Sequence, residues 1–159
     1  MGKVRIGIIC PSEIAFRRFL PSLKQEKSFE YMGVAIASKD EWDGDVEDSV
    51  IQKEREKAEK FVDAYGGGIY EGYQALITSD DVDVIYLPLP PALHYQWAKM
   101  ALKQGKHVFV EKPSTTSYEH SKELIELAKQ KHLVFHENYM FQYHSQITAI
   151  RDELKRGII

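Results

Sequence analysis

Three short segments bring together side chains able to bind a ligand or take part in a reaction. Cys10-Pro11-Ser12-Glu13-Ile14-Ala15 follows an apolar run and places a thiol, a hydroxyl and a carboxylate in one turn. Ser38-Lys39-Asp40 closes a second apolar run. A hydroxyl beside an ammonium suits a phosphate, because both donate to its oxygens. Glu111-Lys112-Pro113 closes another run, and on its own such a Glu–Lys pair reads as exposed surface. Two further groups suggest metal chemistry and fail on spacing. His132 and His136 are four residues apart, which suits one ion only on a helix, whereas here they flank a predicted strand in which four residues span about 13 Å. The acidic run Asp40, Glu41, Asp43, Asp45, Glu47 and Asp48 lacks the alternating oxygen ligands and glycine turn of a calcium loop, and reads as a solvated loop. No metal site is predicted.

The elements that must position these groups are legible from apolar periodicity. Val4–Ile9, Tyr31–Ala37, Val82–Leu87, His107–Val110 and Leu133–Phe135 are short apolar runs of strand length. Between them, Phe16, Phe19, Leu20 and Leu23 recur at helical spacing, as do Ala58, Phe61, Val62 and Tyr65, then Leu93, Trp97 and Ala101, then Leu124, Leu127 and Ala128. Gly66-Gly67-Gly68 and Gly105 read as helix ends, and Ser117 as an N-cap. Ile147, Ile150 and Leu154 predict a last helix ending at Gly157. Continuous apolar strands alternating with amphipathic helices are strands buried on both faces. That predicts an α/β fold with a doubly wound, parallel, Rossmann-type sheet of order 3-2-1-4-5-6, as a single domain over residues 1–159.

In such a sheet, ligands bind at the carboxyl ends of the strands. The turn after Ile9 is then where a dinucleotide's pyrophosphate would meet a helix N-terminus. The usual pattern there is G-x-G-x-x-G/A. Here Cys10 and Ser12 occupy the first two positions and only Ala15 conforms. The two Cβ atoms crowd a pyrophosphate, Glu13 adds negative charge, and Ser12 can donate a hydroxyl. Taken alone, the turn reads as a plain strand-to-helix turn capped by Ser12 and does not by itself indicate a cofactor. At the end of the second strand, Ser38 and Lys39 favour the 2′-phosphate of NADP over the free diol of NAD, although Asp40 is one step away and Lys39 also reads as the start of a solvated loop.

One stretch is far more specific. Leu87-Pro88-Leu89-Pro90-Pro91-Ala92-Leu93-His94-Tyr95, followed by Gly105-Lys106-His107-Val108-Phe109-Val110-Glu111-Lys112-Pro113, resembles the glucose–fructose oxidoreductase and inositol dehydrogenase (Gfo/Idh/MocA) family. That family pairs a proline-containing turn and a histidine with a G-K-H-V…E-K-P segment. The resemblance implies that Lys112 sits near the nicotinamide and a substrate hydroxyl, where a partly buried ammonium can polarise the carbon–oxygen bond. It further implies that Glu111 orients Lys112 or touches the nicotinamide ribose, that Pro113 follows a cis peptide, and that His94 and Asn138 lie beside the cofactor. Leu87, Pro90, Cys10, Ser12, Glu13, Ile14, Ser38 and Lys39 complete the expected cofactor contacts. The sequence departs from the family at the phosphate turn, at Pro91 where asparagine is common, and at Gln142 where arginine is common.

The family's members run to about twice this length and carry a second α+β domain that supplies most of the substrate pocket and the oligomer contacts. The resemblance therefore implies the NAD(P)-binding half of an oxidoreductase acting on a sugar, polyol or sugar nucleotide, inactive alone and able to self-associate. The rival expectation is a non-catalytic Rossmann-like module with a degenerate phosphate turn. A net charge of −3 gives no field for nucleic acid or an anionic membrane. One cysteine excludes an internal disulfide, and no apolar run reaches the ~20 residues of a membrane span, so a cytoplasmic protein is expected.

Overall fold

The computed structural model describes residues 2–158. The apolar runs form strands β1 (Val4–Ile9), β2 (Phe29–Ile36), β3 (Gly68–Glu71), β4 (Val84–Leu87), β5 (His107–Glu111) and β6 (Phe135–Asn138). All pair in parallel in one sheet, in the expected order β3-β2-β1-β4-β5-β6. The helices are α1 (Leu20–Leu23), entered through a π-helical turn at Ala15–Phe19, α2 (Asp48–Tyr65), α3 (Tyr73–Thr78), α4 (Pro91–Lys103), α5 (Tyr118–Gln130) and α6 (Ser145–Lys155). None is long and apolar enough to cross a membrane.

Alternation along the buried strands divides the core in two. Ile9, Ala35, Ile85, Leu87, Val108 and Val110 face α3, α4 and α5, against Leu76, Trp97, Leu102 and Leu124. Ile6, Ile8, Val34, Ile36 and Tyr86 face the other way, against Leu20 of α1 and Ala58 and Phe61 of α2. Apolar burial of these two clusters positions the strand ends that carry the candidate site.

The structure adds one unit to the sequence reading and moves another. Gly68-Ile69-Tyr70-Glu71 is a strand, followed by α3, where only a helix terminus was expected. Gly66 does end α2, but Gly68 already pairs with Gly33, and a Cβ on Gly33 would stand 2.2 Å from the Gly68 carbonyl oxygen. Glycine is used here for close approach of two backbones. The last strand begins at Phe135 rather than Leu133, because Leu133 is spent on ending α5. His132 takes φ +55, its N–H donates to the Lys129 carbonyl (3.2 Å), and the Leu133 N–H donates to the Ala128 carbonyl (2.9 Å). That is a Schellman closure with histidine in the place usually held by glycine.

Candidate cofactor site at the carboxyl edge

The carboxyl ends of β1, β2, β4, β5 and β6 line one edge of the sheet, and each ends in candidate residues. After β1, Cys10 adopts φ +74, the left-handed conformation that glycine takes most easily. The chain thus follows a glycine-type path while carrying a Cβ. The Cys10 N–H donates to the Ala35 carbonyl (3.0 Å), and the Ser12 hydroxyl accepts from the Ala15 N–H (3.3 Å), which is the expected cap. Ala15 is fully buried, as close packing at the third motif position requires. Glu13 points outward to Arg17 (3.2 Å), so much of its charge is answered locally, and Ile14 is half-buried at the helix entrance. Burial, followed by the charge of Glu54, pushes the Cys10 thiol up to about 11.

The sequence reading missed two cations at this turn. Lys57 and Lys60 of α2 line the groove of about 460 Å³ that Cys10, Ser12 and Glu13 open onto. Lys57 is paired with Glu54 (2.6 Å). Helical spacing from the buried Phe61 shows which face of α2 these lysines occupy, but nothing in that pattern says which loop the face meets.

After β2, Ser38 and Lys39 are present at the edge but already engaged. The Ser38 hydroxyl donates to Asp40 Oδ1 (2.7 Å), and Lys39 Nζ lies 2.5 Å from Asp48 Oδ1. Both members of the Lys39–Asp48 pair are well exposed, and exposed pairs contribute about 0–1 kcal/mol, so a phosphate can displace Asp48 at small cost. The neighbouring Glu41 is structural. Its carboxylate accepts from the N–H groups of Ser38 (3.0 Å), Tyr73 (2.7 Å) and Gln74 (2.8 Å), closing a capping box and capping α3 at once.

The G-K-H-V…E-K-P segment separates into parts that build the fold and parts that face the edge. Gly105 takes φ +79 in the closure of α4. Lys106 Nζ donates to the carbonyls of Ser79 (2.6 Å) and Val82 (2.7 Å). His107 Nδ1 accepts from the Val134 N–H (2.9 Å). Only Glu111-Lys112-Pro113 reaches the carboxyl edge. Lys112 is exposed, and its bond to Pro113 is cis. Glu111 is 7% exposed, and its Oε1 accepts from the Tyr86 hydroxyl (2.6 Å) and from Asn138 Nδ2 (2.7 Å). Among the described residues Glu111 thus takes Tyr86 and Asn138, not Lys112, as partners.

His94, expected beside the cofactor, is packed inside the fold. It is fully buried, with Nδ1 2.8 Å from the Pro113 carbonyl oxygen and Nε2 2.7 Å from that of Leu89. Each ring nitrogen faces a carbonyl oxygen, so His94 lies between the loop after β4 and the loop after β5, and a neutral imidazole donates to whichever of the two faces its N–H. The Ser114 N–H donates to Glu137 Oε1 (2.6 Å), which holds the same loop from its other side. Leu87 is buried in the core, whereas Pro90 is exposed and immediately precedes α4.

The fold and the sequence pattern recur in known proteins. The model of the oxidoreductase family with an NAD-binding Rossmann fold (GFO_IDH_MocA) matches residues 4–139. The dTDP-3,4-didehydro-2,6-dideoxy-alpha-D-glucose 3-reductases of Actinomadura kijaniata and Streptomyces violaceoruber are 40% and 38% identical to it, each over 98% of this chain. A crystal structure of a 3-ketoreductase from Actinomadura kijaniata in complex with NADP and TDP-benzene superposes with a TM-score of 0.84 at 37% identity, over 99% of this chain and 44% of that one. The chain spans 42% and 41% of the length of those two curated relatives. Fold, matched segment and identity together establish that the chain belongs to the GFO_IDH_MocA oxidoreductase family.

Proposed function

We propose that residues 1–159 are the dinucleotide-binding domain of an NADP-dependent oxidoreductase whose substrate is a sugar nucleotide. The observation that carries this reading is Glu111-Lys112-Pro113 at the carboxyl edge beside the phosphate turn, in a chain similar over nearly its whole length to sugar-nucleotide 3-reductases.

The residues present fit a dinucleotide. The turn after β1 keeps the left-handed backbone that a glycine would provide, and Lys57 and Lys60 offer phosphate oxygens two ammonium groups in a groove that Glu13 and Glu54 otherwise leave without net charge. Ser38 and Lys39 offer the 2′-phosphate a hydroxyl and an ammonium. A bound nicotinamide supplies the hydride chemistry. This chain supplies orientation and charge: Lys112, exposed on a loop braced by His94 and Glu137, donates to the oxygen of the carbon being reduced or oxidised. In this reading His94 is a positioning residue rather than a cofactor contact.

Titration of the 159-residue chain with NADPH and NADH, followed by nicotinamide fluorescence and calorimetry, tests the reading. NADPH binding in the micromolar range, tighter than NADH, is the expected result. No binding of either at millimolar concentration would defeat it and favour a non-catalytic module.

A further inference from the structure

Glu111 is a buried carboxylate with no cation as a partner among the described residues. Two neutral donors converge on one of its oxygens, the Tyr86 hydroxyl at 2.6 Å and Asn138 Nδ2 at 2.7 Å, both to Oε1. Two donors fill the two lone-pair directions of that oxygen. The other oxygen, Oε2, has no hydrogen-bond partner among the described residues and keeps a small exposure to solvent.

Tyr86 can hold this arrangement rigidly. It is fully buried in β4, and its ring stacks on Phe19 (centroids 4.0 Å apart) and on Phe109 (5.3 Å). The rings fix the phenol's position and leave its hydroxyl one direction, toward Glu111. Burial, then the hydrogen bond and charge of Glu111, hold the phenol well above its ordinary range, so it stays a donor at any working pH.

Resting on the cofactor reading above, we infer that Tyr86 is a positioning residue that acts through Glu111. By occupying Oε1 together with Asn138, it turns Oε2 toward a hydrogen-bond donor on the nicotinamide half of the dinucleotide, such as a ribose hydroxyl. Asn138 then serves as the second pin on Glu111, because its amide N–H is directed at the carboxylate. Neither a motif nor periodicity marks Tyr86. It lies inside an apolar strand, where an aromatic ring reads as core.

The test separates the two ends of the cofactor. Wild type, Tyr86→Phe, Glu111→Ala and the double variant are titrated with NADPH and with adenosine 2′,5′-bisphosphate, which carries only the adenosine end. Tyr86→Phe keeps the stacked ring and removes only the hydroxyl. It is expected to weaken NADPH about tenfold and leave adenosine 2′,5′-bisphosphate unchanged, and to cost nothing further in the Glu111→Ala background, because residues acting as one unit are not additive. Unchanged NADPH affinity in Tyr86→Phe overturns the inference. So does an equal loss for both ligands, which marks a general structural defect, and so does an additive loss in the double variant, which means Tyr86 does not act through Glu111. Failure of wild type to bind either ligand defeats the cofactor reading itself, and this inference with it.

Discussion

Two residues carry the functional reading in opposite ways. Lys112 is exposed, so Lys112→Ala should change stability by no more than about 0.5 kcal/mol, while in a longer parent protein turnover should fall by about 100-fold or more. Urea unfolding paired with a reductase assay checks both, and wild-type turnover would remove Lys112 from the chemistry. Cys10 sits where the family prefers glycine. Its Cβ at φ +74 costs about 1 kcal/mol, and its partly buried thiol contributes about as much, so Cys10→Gly should leave stability near neutral pH almost unchanged. The same variant should tighten NADPH by clearing the approach to the turn. Its alkaline behaviour should differ as well. The thiol is raised from 9.0 to about 11 by burial, so the folded state holds the proton more tightly than the unfolded state. That contribution is complete below about pH 9 and is lost as pH rises through about 11, amounting to roughly 2 kcal/mol. Unfolding curves at intervals from about pH 8 to pH 11 should show wild type losing that much relative to Cys10→Gly; parallel curves for the two proteins would contradict it.

Among the elements, the short α3 is held by side chains more than by its own length. Glu41 receives three backbone N–H groups, one from Ser38 and two from the first turn of α3, and so couples the end of β2 to that helix. Glu41→Ala should therefore destabilise the fold by about 2 kcal/mol and weaken NADPH more than NADH, because the freed loop carries Ser38 and Lys39. Equal weakening of both cofactors would separate Glu41 from the 2′-phosphate end. This linkage also shows where the sequence stops being readable. Strands that are continuous apolar runs, such as β1 and β4, announce themselves. β3 does not, because it holds only Ile69 and Tyr70 between glycines and Glu71, and its stability comes from pairing with β2 rather than from its own pattern. Glu41 likewise lies in an acidic run that reads as solvated loop; its three donors come from residues up to 33 positions away. His94 illustrates the same limit from the other side. Its type and position within a motif point to the cofactor, while its burial between two carbonyl oxygens depends on contacts that no spacing rule encodes.

At the scale of the molecule, the sheet is covered unevenly. α3, α4 and α5 pack on one face, while on the other α1 and α2 cover β1, β2 and β3, and Phe19 alone reaches across to Tyr86 of β4 and Phe109 of β5. Beyond Phe19 that second face opens as a largely apolar groove of about 460 Å³ at the amino ends of the strands, bordered by Leu23, Phe29, Val84, Phe109 and Val134, with Glu26, His107 and His136 among its polar side chains. Val134, at its rim, is 59% exposed. Contiguous apolar surface of this kind favours association, because covering it removes water from side chains that gain nothing from solvent. The 159-residue chain should therefore self-associate reversibly in the micromolar to millimolar range, as sedimentation velocity at several concentrations would show. Val134→Lys puts a charge at the rim of the groove, where the native side chain is already largely exposed, so it should shift the chain toward monomer with a stability change of about 0.5 kcal/mol or less. A chain that is monomeric at all concentrations, or a Val134→Lys variant that associates as wild type does, would mean that this groove is not the contact.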